Sequence, residues 1–166
     1  SPIPEPEPDT GLDAIRDRAI GAMLGLAVGD AIGTTLEFTT RDSYEPLDDM
    51  VGGGPFALEP GEWTDDTAMA LALATSLDEC GRLDEADLLA RFADWYRNGS
   101  YSCTGTCFDI GGTTDYALQR WEATGERFPG PTDPRSAGNG SLMRLAPVAV
   151  RHWRDRAALR DAAARQ

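Results

Sequence analysis

The stretch Gly61-Glu62-Trp63-Thr64-Asp65-Asp66-Thr67-Ala68-Met69-Ala70-Leu71-Ala72-Leu73 decides how this chain is read. A turn gives way to a hydroxyl residue, two adjacent carboxylates and an unbroken run of strong helix formers. Thr64 is placed to cap a helix through its side-chain oxygen. Asp65 and Asp66 then occupy the first turn, where the helix dipole favours anions. The same three residues cluster hard oxygen donors of the kind that Mg²⁺, Mn²⁺ or Ca²⁺ select. Locally, a well-capped helix and one half of a metal site are both open.

Upstream, Thr10-Gly11-Leu12-Asp13 has the form of a capping box with a carboxylate at its fourth position. Leu12, Ile15, Ala19, Ala22 or Met23, and Leu26 then recur at helical spacing. Gly21 and Gly25 on this helix predict a tight helix–helix contact, because glycine there otherwise costs stability. Asp30 falls where the helix ends and opposes its dipole, which predicts a partner or a task for it. From Thr34 to Glu62 the pattern is irregular, punctuated by Gly52-Gly53-Gly54-Pro55 and Pro60-Gly61. A connection that long in a compact domain is functional or mobile. Glu37 lies within it between Leu36 and Phe38, and on local grounds an acid so bracketed reads more readily as the solvent-facing member of an alternating pair than as a functional one.

Downstream, the central helix is predicted to run to about Glu79, with Gly81 beyond its end. Asp84 caps the next, whose apolar face holds Leu88, Leu89, Phe92, Trp95 and Tyr96 and which Gly99 ends. A small, polar, glycine-rich segment from Tyr101 to Thr114 precedes a helix carrying Tyr116, Ala117, Leu118 and Trp121 and stopping at Gly125. Asp109 just ahead of it reads equally as a turn aspartate or a functional one. Gly138-Asn139-Gly140-Ser141 feeds another helix start, where backbone N–H groups would face an anion such as phosphate, although Gly-Asn-Gly is also an ordinary turn. The chain finishes in helix, about Ala157 to Arg165. No stretch reads as a strand, so the expected fold is all-α.

Composition narrows the function classes. The 166 residues carry 15 basic and 28 acidic side chains, a formal charge of -13, which repels nucleic acid and anionic membranes. No apolar run looks long enough to span a bilayer. Residues 1–10 lack the basic and apolar regions of a signal peptide and are expected to form a disordered, acidic, Pro-rich tail, with residues 11–166 as the folded portion. An odd set of cysteines, Cys80, Cys103 and Cys107, argues against a disulfide framework and for a reducing, cytoplasmic setting. Cys103 and Cys107 have the wrong spacing for a zinc knuckle. The single histidine, His152, removes most Ser-His and Cys-His hydrolase schemes. Any chemistry must lean on carboxylates or metal.

Five motifs occur in order: Gly21-Ala22-Met23-Leu24-Gly25-Leu26-Ala27-Val28-Gly29-Asp30-Ala31-Ile32-Gly33, Glu37-Phe38, Trp63-Thr64-Asp65-Asp66-Thr67, Phe108-Asp109-Ile110-Gly111, and Gly138-Asn139-Gly140-Ser141-Leu142-Met143-Arg144. Together they resemble the ADP-ribosylglycohydrolase family, which includes dinitrogenase reductase-activating glycohydrolase. The resemblance implies an all-α, orthogonal multi-helix bundle with two Mg²⁺ or Mn²⁺ ions in a cleft. It makes Thr64, Asp65 and Asp66 metal ligands, and Glu37 and Asp109 the catalytic acids beside the scissile bond. Gly111 and the Gly138, Asn139, Gly140 and Ser141 loop would bind substrate, and Asp30 would support the site.

The implied reaction cleaves the glycosidic bond between ADP-ribose and a protein side chain, arginine by default. A water activated by metal and carboxylate attacks the anomeric carbon through an oxocarbenium-like state. The implied partner is an ADP-ribosylated protein or ADP-ribose conjugate. Family members run to about twice this length, near the upper size of one domain, and complete their centre with an Asp-x-Asp motif followed by Thr or Ser. After Pro147 only Asp155 and Asp161 occur, isolated on an Ala/Arg-rich helix. The chain is therefore expected to carry the first half of the site, the remainder cleaved off or supplied by a second chain. The alternative is a non-catalytic ADP-ribose-binding or partner-binding helical module.

Overall fold

An apolar run with no polar face must be surrounded, and this sets the architecture. The computed structural model describes residues 11–166, so the tail expected over residues 1–10 lies outside it. The run becomes helix α2 (Asp65–Cys80), in which Ala68, Met69, Ala70, Ala72, Leu73 and Leu77 are all buried. Helix α3 (Glu85–Asn98) lays Leu88, Phe92 and Trp95 against it. Leu118 from α4 (Gly112–Thr124), Val148 from α6 (Ala146–Arg151) and Ala162 from α7 (Arg156–Arg165) close the same core. A short α5 (Gly140–Met143) links α4 to α6. Among the described residues there is no strand, only an isolated bridge between Gly53 and Leu58, so the all-α expectation holds.

The helix ends follow the sequence closely. Asp84 Oδ1 accepts from the Asp87 N–H at 3.2 Å, and Gly81 and Gly99 take left-handed φ values of 68° and 75° after α2 and α3. Gly99 is doubly required, since a Cβ there would lie 2.0 Å from the Gly105 carbonyl oxygen. Asp155 caps α7 by accepting from Ala157 and Ala158.

Helix α1 (Leu12–Gly33) departs from expectation. Its N-cap is Gly11, and Thr10, the hydroxyl member of the predicted capping box, lies outside the described residues. The predicted stripe of Ile15, Ala19, Met23 and Leu26 is half-buried, but Leu12 is exposed and only Ala31 is fully buried. Among the described residues no atom stands within 4 Å of a Cβ placed on Gly21 or Gly25, so the predicted tight helix contact is not made among them. The expectation that no segment is long enough for a membrane is also corrected: Leu12–Leu36 qualifies by length and composition. Asp30 interrupts that run, which masks it when uncharged stretches are sought. The α1 stripe instead meets α2 and α6.

Candidate active site

The junction of α1 with α2 builds one wall of a cleft of about 530 Å³. In the last turn of α1, the Asp30 carboxylate accepts from the Thr64 N–H at 3.1 Å and the Thr64 hydroxyl at 2.7 Å. It also accepts from the Thr67 N–H at 3.0 Å and the Thr67 hydroxyl at 2.6 Å. A carboxylate from a neighbouring helix thus caps α2, which explains an acid at an unfavourable dipole end. It also corrects the reading of Thr64, whose side chain makes no cap bond of its own. Its only hydroxyl proton is committed to Asp30, so its lone pairs are left to other donors or to a cation.

Trp63, one residue earlier, is pinned at both ends. Its indole N–H donates to the Tyr101 carbonyl at 3.1 Å, and the Cys103 thiol donates to its carbonyl at 2.9 Å. All three cysteines are free, as expected.

The cleft gathers Asp30 from α1, Glu37 after the 3₁₀ turn Thr34–Leu36, Thr64, Asp65 and Asp66 from α2, and Asp109 and Gly111 ahead of α4. No Lys, Arg or His is among the described residues that line it. The carboxylates therefore raise one another. Asp65, only 7% exposed, is pushed up to about 8 by burial and then by Asp109, Asp66 and Asp30. Burial, a hydrogen bond to Glu37 and the charges of Glu37, Asp66 and Asp30 lift Asp109 to about 7. Asp66 rises to about 6 through burial, Asp30 and Glu37. Asp109 is not the cap of α4, a place taken by Gly111; it holds a left-handed φ of 58° facing Glu37. Glu37 is likewise no bystander of an alternating pair, since it is the partner that raises Asp109.

The predicted substrate loop divides. Asn139 lines the acidic cleft, whereas Gly138, Gly140 and Ser141 border a second cavity of about 520 Å³. There Arg144, 9% exposed, donates from Nε to Gln166 at 2.7 Å and lies over the Phe92 ring at 4.8 Å. Sequence reasoning missed the aromatic contacts that start from the cleft lining: Phe38, Phe56 and Phe108 touch in series. Only the glycine triplet before Phe56 signalled that a turn would bring it there.

The donor set suits a hard cation, with oxygens only and an excess of acidic groups, Arg144 behind Asp65 being the one basic side chain that acts on them among the described residues. Among the described residues no three acidic, Cys or His side chains converge into a ready-made cage. An ion held by these residues alone would have to keep waters and take one or two carboxylates.

A family model described as ADP-ribosylglycohydrolase matches residues 12–166. The chain belongs to the ADP-ribosylglycohydrolase family. It is 55% identical over 134 residues to ADP-ribosylarginine hydrolase Tri1 of Pseudomonas putida (strain GB-1), covering 81% of this chain and 36% of that protein. It is 41% identical over 141 residues to the ADP-ribosyl-[dinitrogen reductase] glycohydrolase of Rhodospirillum rubrum, covering 82% and 45%. A solved structure described as an ADP-ribosylglycohydrolase-related protein complex superposes with a TM-score of 0.78 at 41% identity, over 93% of this chain and 50% of its own. The helical bundle is thus that of the glycohydrolase family, and this chain spans between about a third and a half of these relatives' length.

Proposed function

We propose that this chain supplies the acidic wall of a site that hydrolyses the bond between ADP-ribose and a protein side chain, arginine in the first instance. The observation that carries the reading is the Glu37–Asp109 pair, joined across the cleft beside Asp65 and Asp66. A carboxyl group raised to about 7 and hydrogen-bonded to a second carboxyl group equips the pair to act as acid and base. The ionised member takes a proton from the attacking water. The protonated member hands one to the departing guanidine nitrogen as the C–N bond breaks and the new C–O bond forms. Thr64, Asp65 and Asp66 would hold Mg²⁺ or Mn²⁺, which when bound supplies Lewis acidity and fixes the ribose hydroxyls. Asp30 orients those three residues through its bonds to Thr64 and Thr67. Gly111 and Asn139 line the same cleft, where the substrate's ribose and phosphates would pass.

The arginine acceptor is favoured by the Pseudomonas putida relative, named an ADP-ribosylarginine hydrolase. The remainder of the family's fold, in the same polypeptide or a second chain, is proposed to cover the open face of α1. That face shows Ile20, Leu24 and Val28 beside Gly21, Gly25 and Gly29, with room for a closely packed helix.

The test is release of ADP-ribose from ADP-ribosylated arginine in Mg²⁺ or Mn²⁺. Asp109→Asn and Glu37→Gln should each slow release by about 10²- to 10⁴-fold. A full rate in Asp65→Ala, or tight ADP-ribose binding indifferent to chelator with no turnover, would favour the binding-module alternative.

A further inference from the structure

Three phenylalanines run in series from the lining of the acidic cleft. Phe38 directly follows Glu37, lines the cleft and is 79% exposed. Its ring meets Phe56 edge-on, with centroids 6.4 Å apart and planes at 71°. Phe56 in turn meets Phe108 at 5.2 Å, and Phe108 directly precedes Asp109.

The backbone is bent to make this series. Phe38 has φ 59°, Ala57 beside Phe56 has φ 53°, and Asp109 beside Phe108 has φ 58°. None is glycine, so each sits in a sparsely populated region, and such outliers gather at ligand clamps. The turn that carries Phe56 is docked firmly. A Cβ on Gly54 would lie 2.5 Å from the Thr34 carbonyl oxygen, and the Thr35 hydroxyl donates to the Gly52 carbonyl at 2.9 Å. Gly53 and Leu58 exchange backbone bonds of 2.7 and 3.0 Å across it.

An aromatic ring left open to water beside a cluster of acidic side chains matches one ligand chemistry better than others. A ring face carries negative quadrupole charge and attracts cations, guanidinium above ammonium. Guanidinium is also flat enough to stack and forked enough to meet a carboxylate. We propose that Phe38, backed by Phe56 and Phe108, is the acceptor-recognition face of this cleft and selects a guanidinium cation, the arginine side chain that bears ADP-ribose. Glu37, its neighbour, supplies the counter-charge. A neutral acceptor such as serine gains nothing from either group. This inference rests on the glycohydrolase reading above and adds to it the source of acceptor choice.

The experiment titrates agmatine, a guanidinium cation, and ADP-ribose separately into the wild type and into Phe38→Ala, Phe38→Leu and Phe38→Trp, in Mg²⁺ buffer. Agmatine affinity should fall about twofold to thirtyfold in the Ala and Leu variants and be kept in the Trp variant. ADP-ribose affinity should stay within about twofold throughout. No agmatine binding by the wild type, or a Leu variant equal to it, overturns the proposal. So does an equal loss of ADP-ribose affinity, which would make Phe38 a platform for the purine. Release of ADP-ribose from ADP-ribosylarginine is scored in parallel. Phe38-dependent agmatine binding without release, once the remainder of the family fold is joined to or mixed with this chain, removes the hydrolase reading and leaves the cation face standing. Release indifferent to Phe38→Ala removes the cation face and leaves the hydrolase.

Discussion

Helices α1 and α2 are neighbours joined through one carboxylate, yet they live in opposite environments. Both are rich in Ala and Leu. In α2 nearly every apolar side chain is enclosed by α3, α6 and α1. In α1, of 22 residues, only Ala31 is fully buried, and Leu24 is 60% exposed. Apolar sequence therefore specifies that a helix can be enclosed, while burial depends on what else is present to enclose it. The site sits where the two meet: Asp30 from the open helix fixes Thr64 and Thr67 of the closed one.

The largest expected effect lies in α2. Leu73→Ala removes a side chain with no exposed surface and should cost about 2–5 kcal/mol of stability, read by urea or thermal unfolding. A loss under about 1 kcal/mol would mean that α2 is not the centre of the core. Next comes the joint. Asp30→Ala removes the acceptor for four donors of the α2 N-terminus, worth about 1–2 kcal/mol by analogy with lost caps. The loss should be larger at pH 5 than at pH 8. At high pH the deletion also relieves repulsion on Asp65, Asp66 and Asp109, which offsets part of it.

The joint also marks how far sequence could be read. The α2 start at Thr64, the ends at Gly81 and Gly99 and the Asp84 cap were legible because each depends on residues within a turn of one another. Asp30 could be singled out, because an acid at that helix end needs a reason. Its partner, 34 residues away, could not. The series Phe38–Phe56–Phe108 was illegible for a second reason. Its left-handed turning points are Phe38, Ala57 and Asp109, none of them a glycine that would announce the bend. Gly21 and Gly25 were read as tight contacts because glycine in a helix demands an explanation, and the described residues hold no partner for them.

A third prediction uses the charge gathered at the junction. Asp65, Asp109 and Asp66 are raised from an ordinary 3.8 to about 8, 7 and 6. A raised carboxyl holds its proton in the folded chain after the unfolded chain has lost it. Stability from these groups is present below about pH 4 and is lost as pH climbs towards 8. With chelator present, the unfolding midpoint should therefore fall between pH 5 and 8, and Asp65→Asn should flatten that slope most. Mg²⁺ or Mn²⁺ should raise the midpoint more at pH 8 than at pH 5, since protons compete with the ion. Equal shifts at both values would place cation binding away from these carboxylates.

The smallest effect is expected on the open side of α1, and its smallness is the informative part. Leu24→Ala removes mostly solvated surface and improves helix propensity slightly, so stability should change by less than about 0.5 kcal/mol. Gly21→Ala and Gly25→Ala should be neutral or stabilising, since nothing lies within 4 Å of the added methyl group. The same three substitutions become diagnostic once the other half of the family fold is fused to or mixed with this chain. If that half packs on α1, Leu24→Ala should then cost about 2 kcal/mol or more, and a methyl at Gly21 or Gly25 should hold the two surfaces apart. Substitutions silent in both settings would show that the apolar face of α1 is simply tolerated. The contrast with α2 would then be permanent and not a matter of what is present to cover it.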